Sequence, residues 1–250
     1  MSNTAQAHRP ALGWFLAEPV RGALTFSALP FTARRLSRAP TGDGHGVLLL
    51  PGLLADDLST GPLRTFLTRL GYAASGWGLG RNIGPTEAVI AGMPRLVREL
   101  AERTGGPVSI IGWSLGGVYA RELARDLPEL VRQVITLGSP FALIDNRQSR
   151  ASGVFQRRSR RHVDPARLPS WERMRQPVPV PSTAIYSRSD GIVDWHACID
   201  PADATHQNIE VRCGHLGFGI DAATLWAIAD RLAQPPGQWT PFQPPAWYPR

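Results

Sequence analysis

The segment 108–127 constrains the fold more than any other, because a strand-like run passes into a helix-like run with one serine between them. The run VSIIGW is short, apolar and rich in β-branched residues, which is typical of a buried strand. The run LGGVYARELARDL that follows is typical of a helix. The chain must therefore turn sharply at Ser114, and Gly112 and Gly116 keep neighbouring side chains away from it.

The pattern around Ser114 is G-x-S-x-G, in which a strained strand-to-helix turn holds a serine hydroxyl above a sheet at a helix N-terminus. The pentapeptide alone is a weak signal, because glycine and serine are common, and an ordinary turn serine is the alternative. The strand before Ser114 and the helix after it favour a nucleophile.

Five further strands are predicted, because short β-branched runs recur along the chain with helical stretches between them. These runs are residues 47–52, 72–77, 131–140, 182–187 and 208–212. Residues 85–106 carry apolar residues at helical spacing and end on two glycines, whereas Gly92 and Pro94 indicate a kink or a late start. The sequence predicts an α/β fold with a mostly parallel sheet flanked by helices.

One domain with one core is expected over residues 1–250. It includes an N-terminal segment (1–43) and a Pro-rich tail (235–250) that we expect to lie extended on the surface. The insertion 141–181 has nine arginines against three acidic residues and no clear periodicity. We expect it to form a small cap over the site, with a solvated loop as the alternative.

All 27 basic residues are arginine, and the net charge is +7. The absence of lysine excludes Schiff-base chemistry, a Ser/Lys dyad and a GK[ST] phosphate loop. The basic balance alone could indicate nucleic acid, but no zinc-finger spacing and no RNP-like aromatic strand accompanies it. We therefore expect no nucleic-acid partner.

Cys198 and Cys213 are fifteen positions apart, and two alternatives stay open for them. A disulfide would close the loop between them and contribute about 3 kcal/mol in an oxidising compartment. Two small buried thiols are the other alternative. No CxxC pairing indicates zinc or redox exchange.

The N-terminal run LGWFLAEPVRGALTFSALPF is apolar but is interrupted by Glu18 and Pro19, so neither a signal peptide nor a membrane span is expected. The run favours contact with a membrane or lipid surface, and core or cap is the alternative. We expect a protein that is cytoplasmic or peripheral to a membrane, and secretion stays open.

A serine hydroxyl needs a base, and the base needs an acid to hold its tautomer. Among six histidines, His215 follows the last predicted strand with glycines on both sides, and we expect the others to lie at the surface. Asp190 follows the strand 182–187 and precedes a glycine, whereas Asp194 is placed to cap a short helix. Ser114, Asp190 and His215 then appear in the chain order of strand-turn-helix serine hydrolases.

The oxyanion formed by attack on a carbonyl needs N–H donors, which Leu115 and Leu53 are placed to supply. Trp77, Trp113 and the leucines around Leu53 suggest an apolar acyl pocket, although ordinary core is the default expectation for each of them. The run GRNIGPT (80–86) either lines the site or forms a glycine turn.

With these residues in place, the chain resembles the α/β-hydrolase superfamily, and within it the bacterial lipase and esterase-like members. The matching segments are VLLLPGLLADDLSTGPLRTFLTRLGY, IIGWSLGGVYARELA, VITLGSPF, YSRSDGIVDW and CGHLGFG. The resemblance implies hydrolysis of small-molecule or lipid carboxylic esters through an acyl-enzyme, with no cofactor and no metal. An acyltransferase or thioesterase with the same triad is the alternative, followed by a binding protein that keeps the fold. One departure is Pro51-Gly52, where lipases often have His-Gly before the oxyanion donor.

Overall fold

The computed structural model describes residues 8–248, and its centre is a six-stranded parallel sheet with the order β2-β1-β3-β4-β5-β6. Every neighbouring pair of strands is parallel. The strands are β1 (Gly46–Leu50), β2 (Ala73–Ser75), β3 (Val108–Trp113), β4 (Val131–Leu137), β5 (Ser182–Tyr186) and β6 (His206–Glu210). The predicted α/β class and parallel sheet are confirmed, although β6 begins two residues before the predicted 208–212 and includes His206.

Seven α-helices accompany the sheet within the described residues. They are α1 (Leu12–Leu36), α2 (Gly61–Arg69), α3 (Glu87–Thr104), α4 (Leu115–Asp126), α5 (Ser152–Arg157), α6 (Trp171–Arg175) and α7 (Ala222–Leu232). Helix α3 begins after Thr86, whose side chain accepts the N–H of Val89, and ends at Gly105 in the left-handed region (φ 73°). It runs through Pro94 without ending there.

The sheet is covered on both faces, which explains why its strands are continuous apolar runs. Alternate residues of β1 point to opposite faces. Val47 and Leu49 pack in the cluster that includes α2 and α7, whereas Leu48 and Leu50 pack in the cluster that includes α3 and α4. Each fully buried aliphatic side chain of this kind contributes about 1.5–3 kcal/mol relative to exposure.

The carboxyl ends of all six strands lie at one edge of the sheet, because the strands are parallel. The strand order reverses between β1 and β3, and in open α/β sheets ligands bind in the crevice outside the carboxyl ends at such a point. Ser114 follows β3, and the loop with Leu53 follows β1. Asp190 and His215 follow β5 and β6, so the topology brings all the candidate site residues to this edge.

Helix α1 was not predicted, and it forms despite Pro19 and Pro30 within its span. It packs against α7 and against the short turn that contains His215. No helix within residues 8–248 has the length and apolar composition needed to cross a bilayer.

The insertion 141–181 contains α5, α6 and three short 3₁₀ turns, and its arginines form specific contacts. Arg173 pairs with Glu122 and Asp126 of α4, and Arg167 pairs with Glu87 of α3. A role as a cap over the site stays a prediction. Over residues 235–248 the tail has no helix or strand, yet Phe242 and Tyr248 are buried in the core.

Cys198 and Cys213 are both buried and free, so the disulfide alternative is wrong and the buried-thiol alternative holds. The reason is their packing. Cys198 lies against Val193 and Ala197, whereas Cys213 lies in the cluster that includes α7. Burial raises the pKa of both thiols.

Candidate active site

Ser114 occupies a strained backbone position between β3 and α4. Its φ of 52° and ψ of −119° lie outside the regions that side-chain-bearing residues prefer. Leu54 is the other non-glycine residue with positive φ within residues 8–248. Such conformations cost about 1–3 kcal/mol and persist where the surroundings enforce them, typically at functional sites. The Ser114 N–H donates to the Leu137 carbonyl at 2.8 Å, which fixes the turn against β4.

Gly112 and Gly116 are required by close backbone packing. A Cβ at Gly112 would lie 2.3 Å from the Gly116 carbonyl oxygen, and a Cβ at Gly116 would lie 2.2 Å from the Leu50 carbonyl oxygen. Because both obstacles are backbone atoms, a side chain at either position would displace β1 or α4. The two glycines therefore allow the turn to sit tightly against β1.

Asp190 and His215 meet directly. The His215 Nδ1–H donates to Asp190 Oδ2 at 2.6 Å, and both residues are buried. Asp190 Oδ1 accepts the N–H groups of Ile192 at 2.7 Å and Val193 at 2.8 Å. These two donors fix the rotation of the carboxylate, so that its other oxygen faces the imidazole.

The pKa of His215 is the result of opposing influences. Burial lowers it, because the charged imidazolium loses contact with water. The charge and hydrogen bond of Asp190, together with the charge of Glu18, raise it, and the net pKa lies above the ordinary value. The imidazole is thus surrounded by negative charge that favours its protonated form.

Neighbours of Ser114 contact this pair or approach it closely. The indole Nε1–H of the preceding Trp113 donates to the His215 carbonyl at 3.1 Å. A Cβ at Gly138, the residue after the Leu137 acceptor, would lie 3.0 Å from Asp190 Oδ2. Within residues 8–248 no hydrogen bond joins the Ser114 hydroxyl to the imidazole. Catalytic hydrogen bonds often tighten only when substrate is bound.

The loop after β1 approaches Ser114 closely, since a Cβ at Gly52 would lie 3.3 Å from the Ser114 Cβ. Asn82, which is fully buried, holds this loop. Its side-chain amide donates to the Pro51 carbonyl at 2.8 Å, and its backbone carbonyl accepts the Leu54 N–H at 2.6 Å. Leu115 is the first residue of α4, so its N–H has no acceptor within the helix.

Asn82 was not singled out from the sequence, where the run 80–86 was interpreted as site lining or as a glycine turn. The structure shows that this run buttresses the Leu53 loop. The only local signal was an asparagine among glycines and a proline, which is common in turns. Its partners are far away in the chain, and no local pattern identifies them.

We predict that Asn82→Ala lowers both stability and the activity proposed below. The change leaves the Pro51 carbonyl and the Gly84 N–H without their buried partner, at a cost of about 1–3 kcal/mol for each unsatisfied group. It also loosens the Leu53 loop at Pro51, whereas the bond from the Leu54 N–H to the backbone carbonyl of residue 82 is kept. Urea denaturation and ester hydrolysis measure the two effects. The matched control is Arg81→Ala, which changes the exposed neighbour; an equal loss in that variant would contradict the assignment.

The other predicted candidates lie apart from this cluster. Asp194 accepts the His196 N–H at the start of a 3₁₀ turn and bonds the Gln148 side chain at 3.1 Å, as expected of a cap. The expectation of a surface position is wrong for His206, which is buried and bonds the Val178 carbonyl at 3.0 Å. Trp77 is fully buried in the core cluster that includes α3.

One cavity of about 520 Å³ lies near α1 and the ends of β5 and β6. Trp14, Arg21 and Ser189 line it, and Ser114 and His215 do not. Asp190 is not part of its lining either.

No protein-family model matches the sequence, and a search of curated proteins finds no match. Solved structures match in fold. One is a metagenome-derived lipolytic enzyme from the study of LipS and LipT, with a TM-score of 0.56 and 15% identity, covering 77% of this chain and 93% of that chain. An α/β superfamily hydrolase from Oenococcus oeni PSU-1 has a TM-score of 0.54 and 15% identity, covering 76% and 92%.

A thioesterase domain from the curacin biosynthetic pathway has a TM-score of 0.51 and 16% identity, covering 76% of this chain and 92% of that chain. Identities this low establish similarity of fold and leave the reaction open. The expected fold is confirmed.

Proposed function

Because the chain has the α/β-hydrolase fold, we propose that it is a serine hydrolase that cleaves carboxylic esters. Ser114 is the nucleophile, His215 the general base and Asp190 the residue that orients the base. The observation that carries the proposal is the 2.6 Å hydrogen bond between His215 and Asp190, and the strained turn at Ser114 supports it. A buried imidazole with one nitrogen fixed by a carboxylate leaves the other nitrogen to accept a proton.

In the first half-reaction, Ser114 Oγ attacks the ester carbonyl carbon while His215 Nε2 takes the hydroxyl proton. The carbonyl π electrons move to the oxygen, and the resulting oxyanion accepts hydrogen bonds from the N–H groups of Leu115 and Leu53. Each such donor is typically responsible for about 10²- to 10³-fold in rate. The tetrahedral intermediate collapses, and the leaving alkoxide takes the proton from His215.

In the second half-reaction, water replaces the alcohol. His215 removes one proton from water, whose oxygen attacks the acyl carbon and displaces Ser114 Oγ. The hydroxyl of Ser114 recovers its proton from His215, and a carboxylic acid leaves. The chemistry requires only side chains and backbone N–H groups of this chain.

A panel of nitrophenyl esters from acetate to palmitate, run on the wild type and on Ser114→Ala, tests the proposal. We expect hydrolysis by the wild type alone, and the chain-length optimum identifies a small-molecule or lipid ester as substrate. Equal hydrolysis by the two proteins would contradict it. An acyltransferase or thioesterase is the second candidate, supported by the fold shared with a thioesterase domain. Acyl transfer to an alcohol or amine that outpaces hydrolysis, or a strong preference for thioesters, would favour that candidate.

We predict that kcat/KM rises with pH through a single ionisation above the ordinary histidine value of about 6.5. His215 must be neutral to accept the serine proton, and its pKa is raised by Asp190 and Glu18 despite burial. Activity is therefore lost as the pH falls through this raised pKa. Initial rates at low substrate concentration across the pH range measure the position of this acid limb of the pH profile. An acid limb below about 6.5 would contradict the raised pKa of His215.

A further inference from the structure

Glu18 of α1 is a buried carboxylate that links the loops carrying Asp190 and His215. It is 2% exposed. One oxygen, Oε1, accepts the backbone N–H groups of Gly191 and His215, both at 2.9 Å, and Oε2 accepts the N–H of Leu216 at 3.0 Å. A single carboxylate therefore fixes the residue after Asp190 and His215 itself.

The contact between α1 and these loops is close. A Cβ at Gly214 would lie 2.8 Å from Glu18 Oε2, so the chain before His215 approaches the carboxylate only because it has no side chain there. Arg21, one turn after Glu18, pairs with it at 3.5 Å and donates to the carbonyl and the hydroxyl of Ser189 at 2.6 and 2.8 Å. Residues on both sides of Asp190 are thus held by α1.

Attaching a helix through a buried charge carries an unfavourable desolvation free energy. Removing a carboxylate from water is strongly unfavourable unless hydrogen bonds and a counter-charge compensate. The same face of α1 carries Leu29 and Leu36, which pack against the core and need no compensation. The placement of a charge among these apolar contacts favours a role for the charge itself.

We propose that Glu18 is a positioning residue for the reaction proposed above. It holds the two loops so that His215 Nδ1 meets Asp190 Oδ2, and its charge favours the imidazolium formed when His215 accepts the Ser114 proton. The inference rests on the proposed function. Asp190 and Glu18 are the anions that act on this imidazole, and Arg21 is the cation beside Glu18.

Glu18→Gln is the test, because it keeps the side-chain size while removing the charge and placing an NH₂ group against a backbone N–H. We expect kcat to fall about 10- to 100-fold, as for a small displacement of catalytic groups, with little change in KM. The acid limb of the pH profile moves to lower pH, because the negative charge that raises the His215 pKa is gone. Thermal denaturation monitors folding in parallel.

Two control variants separate positioning from simple attachment of α1. Arg21→Gln removes a contact between α1 and Ser189 but keeps the Glu18 charge, so its acid limb stays in place or moves up. Glu18→Asp keeps the charge on a shorter side chain, so kcat falls while the acid limb stays nearer to that of the wild type. If kcat fell equally in Glu18→Gln and Arg21→Gln and both acid limbs stayed unchanged, Glu18 would only attach α1 to these loops.

An NMR titration of the His215 imidazole in the wild type and Glu18→Gln needs no substrate and keeps the two proposals distinguishable. A lower His215 pKa in the variant supports positioning even if the wild type hydrolyses no ester, in which case the proposed function fails. An unchanged His215 pKa overturns the role of the charge even in an active esterase.

The outer face of α1 carries a second, independent feature, an exposed apolar stripe. The inner face of α1 packs on the protein through Glu18, Gly22 and Leu29. On the opposite face, the side chains of the stripe are 57% to 86% exposed. The stripe consists of Leu12, Leu16, Val20, Leu24 and Phe31. Soluble monomers rarely expose a contiguous apolar surface of this kind unless it binds something.

The charges around the stripe are of one sign. Arg34 and Arg35 lie exposed at the end of α1, Arg38 follows, and Arg9 precedes the helix. The only acidic residue of α1, Glu18, is buried. If α1 of a second copy packed on this face in parallel, Arg34 and Arg35 would face the same arginines of the other copy. In an antiparallel arrangement they would face Arg9. An anionic lipid surface satisfies both the apolar stripe and the arginines.

We propose that the outer face of α1 docks on the surface of an anionic membrane, with the stripe in the headgroup region and the arginines near lipid phosphates. Sedimentation with vesicles of phosphatidylcholine and phosphatidylglycerol, and with vesicles of phosphatidylcholine alone, tests this. We expect binding to the anionic vesicles that weakens with added salt. In Leu16→Ser/Leu24→Ser the binding falls at least about tenfold, since two exposed leucines that the bilayer would bury are lost.

The matched control is Leu58→Ser, which removes an exposed leucine (86%) outside α1 and keeps wild-type binding. Wild-type protein that stays in the supernatant at low salt would overturn the proposal, as would an equal loss in the Leu58 variant. A wild-type dimer that the double variant converts to monomers would mean that a second copy covers the stripe.

Discussion

Ser114→Ala is expected to abolish ester hydrolysis, lowering kcat by about 10⁴- to 10⁶-fold. The substitution removes the only atom that forms the acyl-enzyme, whereas the N–H groups of Leu115 and Leu53 stay in place. Their contribution sets the residual rate. The backbone strain at this position (φ 52°) is unchanged, because alanine and serine have the same Cβ. The thermal midpoint should therefore stay near that of the wild type.

Covalent labelling distinguishes an enzyme from a binding protein that only keeps the fold. A fluorophosphonate should modify Ser114 of the wild type at a single site, detected by mass spectrometry of the labelled peptide. Ser109→Ala is the matched control, because Ser109 lies buried on the same strand and bonds His45 Nε2 at 2.8 Å. Labelling that persists in Ser114→Ala, or disappears in Ser109→Ala, would contradict the assignment of the nucleophile.

The strands were predictable because each one is a local signal. A parallel strand covered on both faces must be apolar along its whole length, and β1, β3 and β4 are buried almost throughout. The strained turn at Ser114 was predictable for the same reason. The close backbone packing that excludes side chains at Gly112 and Gly116 involves residues at most a few positions away, or the adjacent β1.

The common location of Asp190 and His215 was predictable from topology, since polar residues after parallel strands meet at one edge of the sheet. Glu18 was not, because its acceptor role depends on N–H groups 173 to 198 positions away. Its sequence context, an acid before a proline in an apolar run, indicated only an interruption. Helix α1 itself was missed because Pro19 and Pro30 oppose helix, and packing against α7 and the His215 turn outweighs them.

The disulfide alternative failed for a related reason. Spacing in the chain limits the length of the loop between two cysteines, but it does not say which cluster each side chain enters. Cys198 and Cys213 enter different clusters, and both are apolar enough to hold a thiol without a bond. Local patterns thus predicted the strands well and the contacts between elements poorly.

Asp190→Asn is expected to lower kcat by about 10⁴-fold, the loss found when the orienting acid of a serine triad becomes an amide. Here the geometry gives the reason. Asp190 Oδ1 accepts two backbone N–H groups, so the asparagine must keep its oxygen there. Its NH₂ group then faces His215 Nδ1, which can only accept. The proton is forced onto Nε2, and the imidazole can no longer take the proton of Ser114.

Asp194→Asn is the matched control, since Asp194 lies four residues later, is equally buried and holds the 3₁₀ turn rather than His215. We expect it to lower the thermal midpoint while most of kcat is retained. The acid limb of Asp190→Asn should also move to lower pH, because the charge that raises the His215 pKa against the effect of burial has been removed. If Asp194→Asn were instead the inactive variant and Asp190→Asn kept its rate, the orienting acid would be Asp194. Movement of the loop after β5 would then have to carry Asp194 to His215 during turnover.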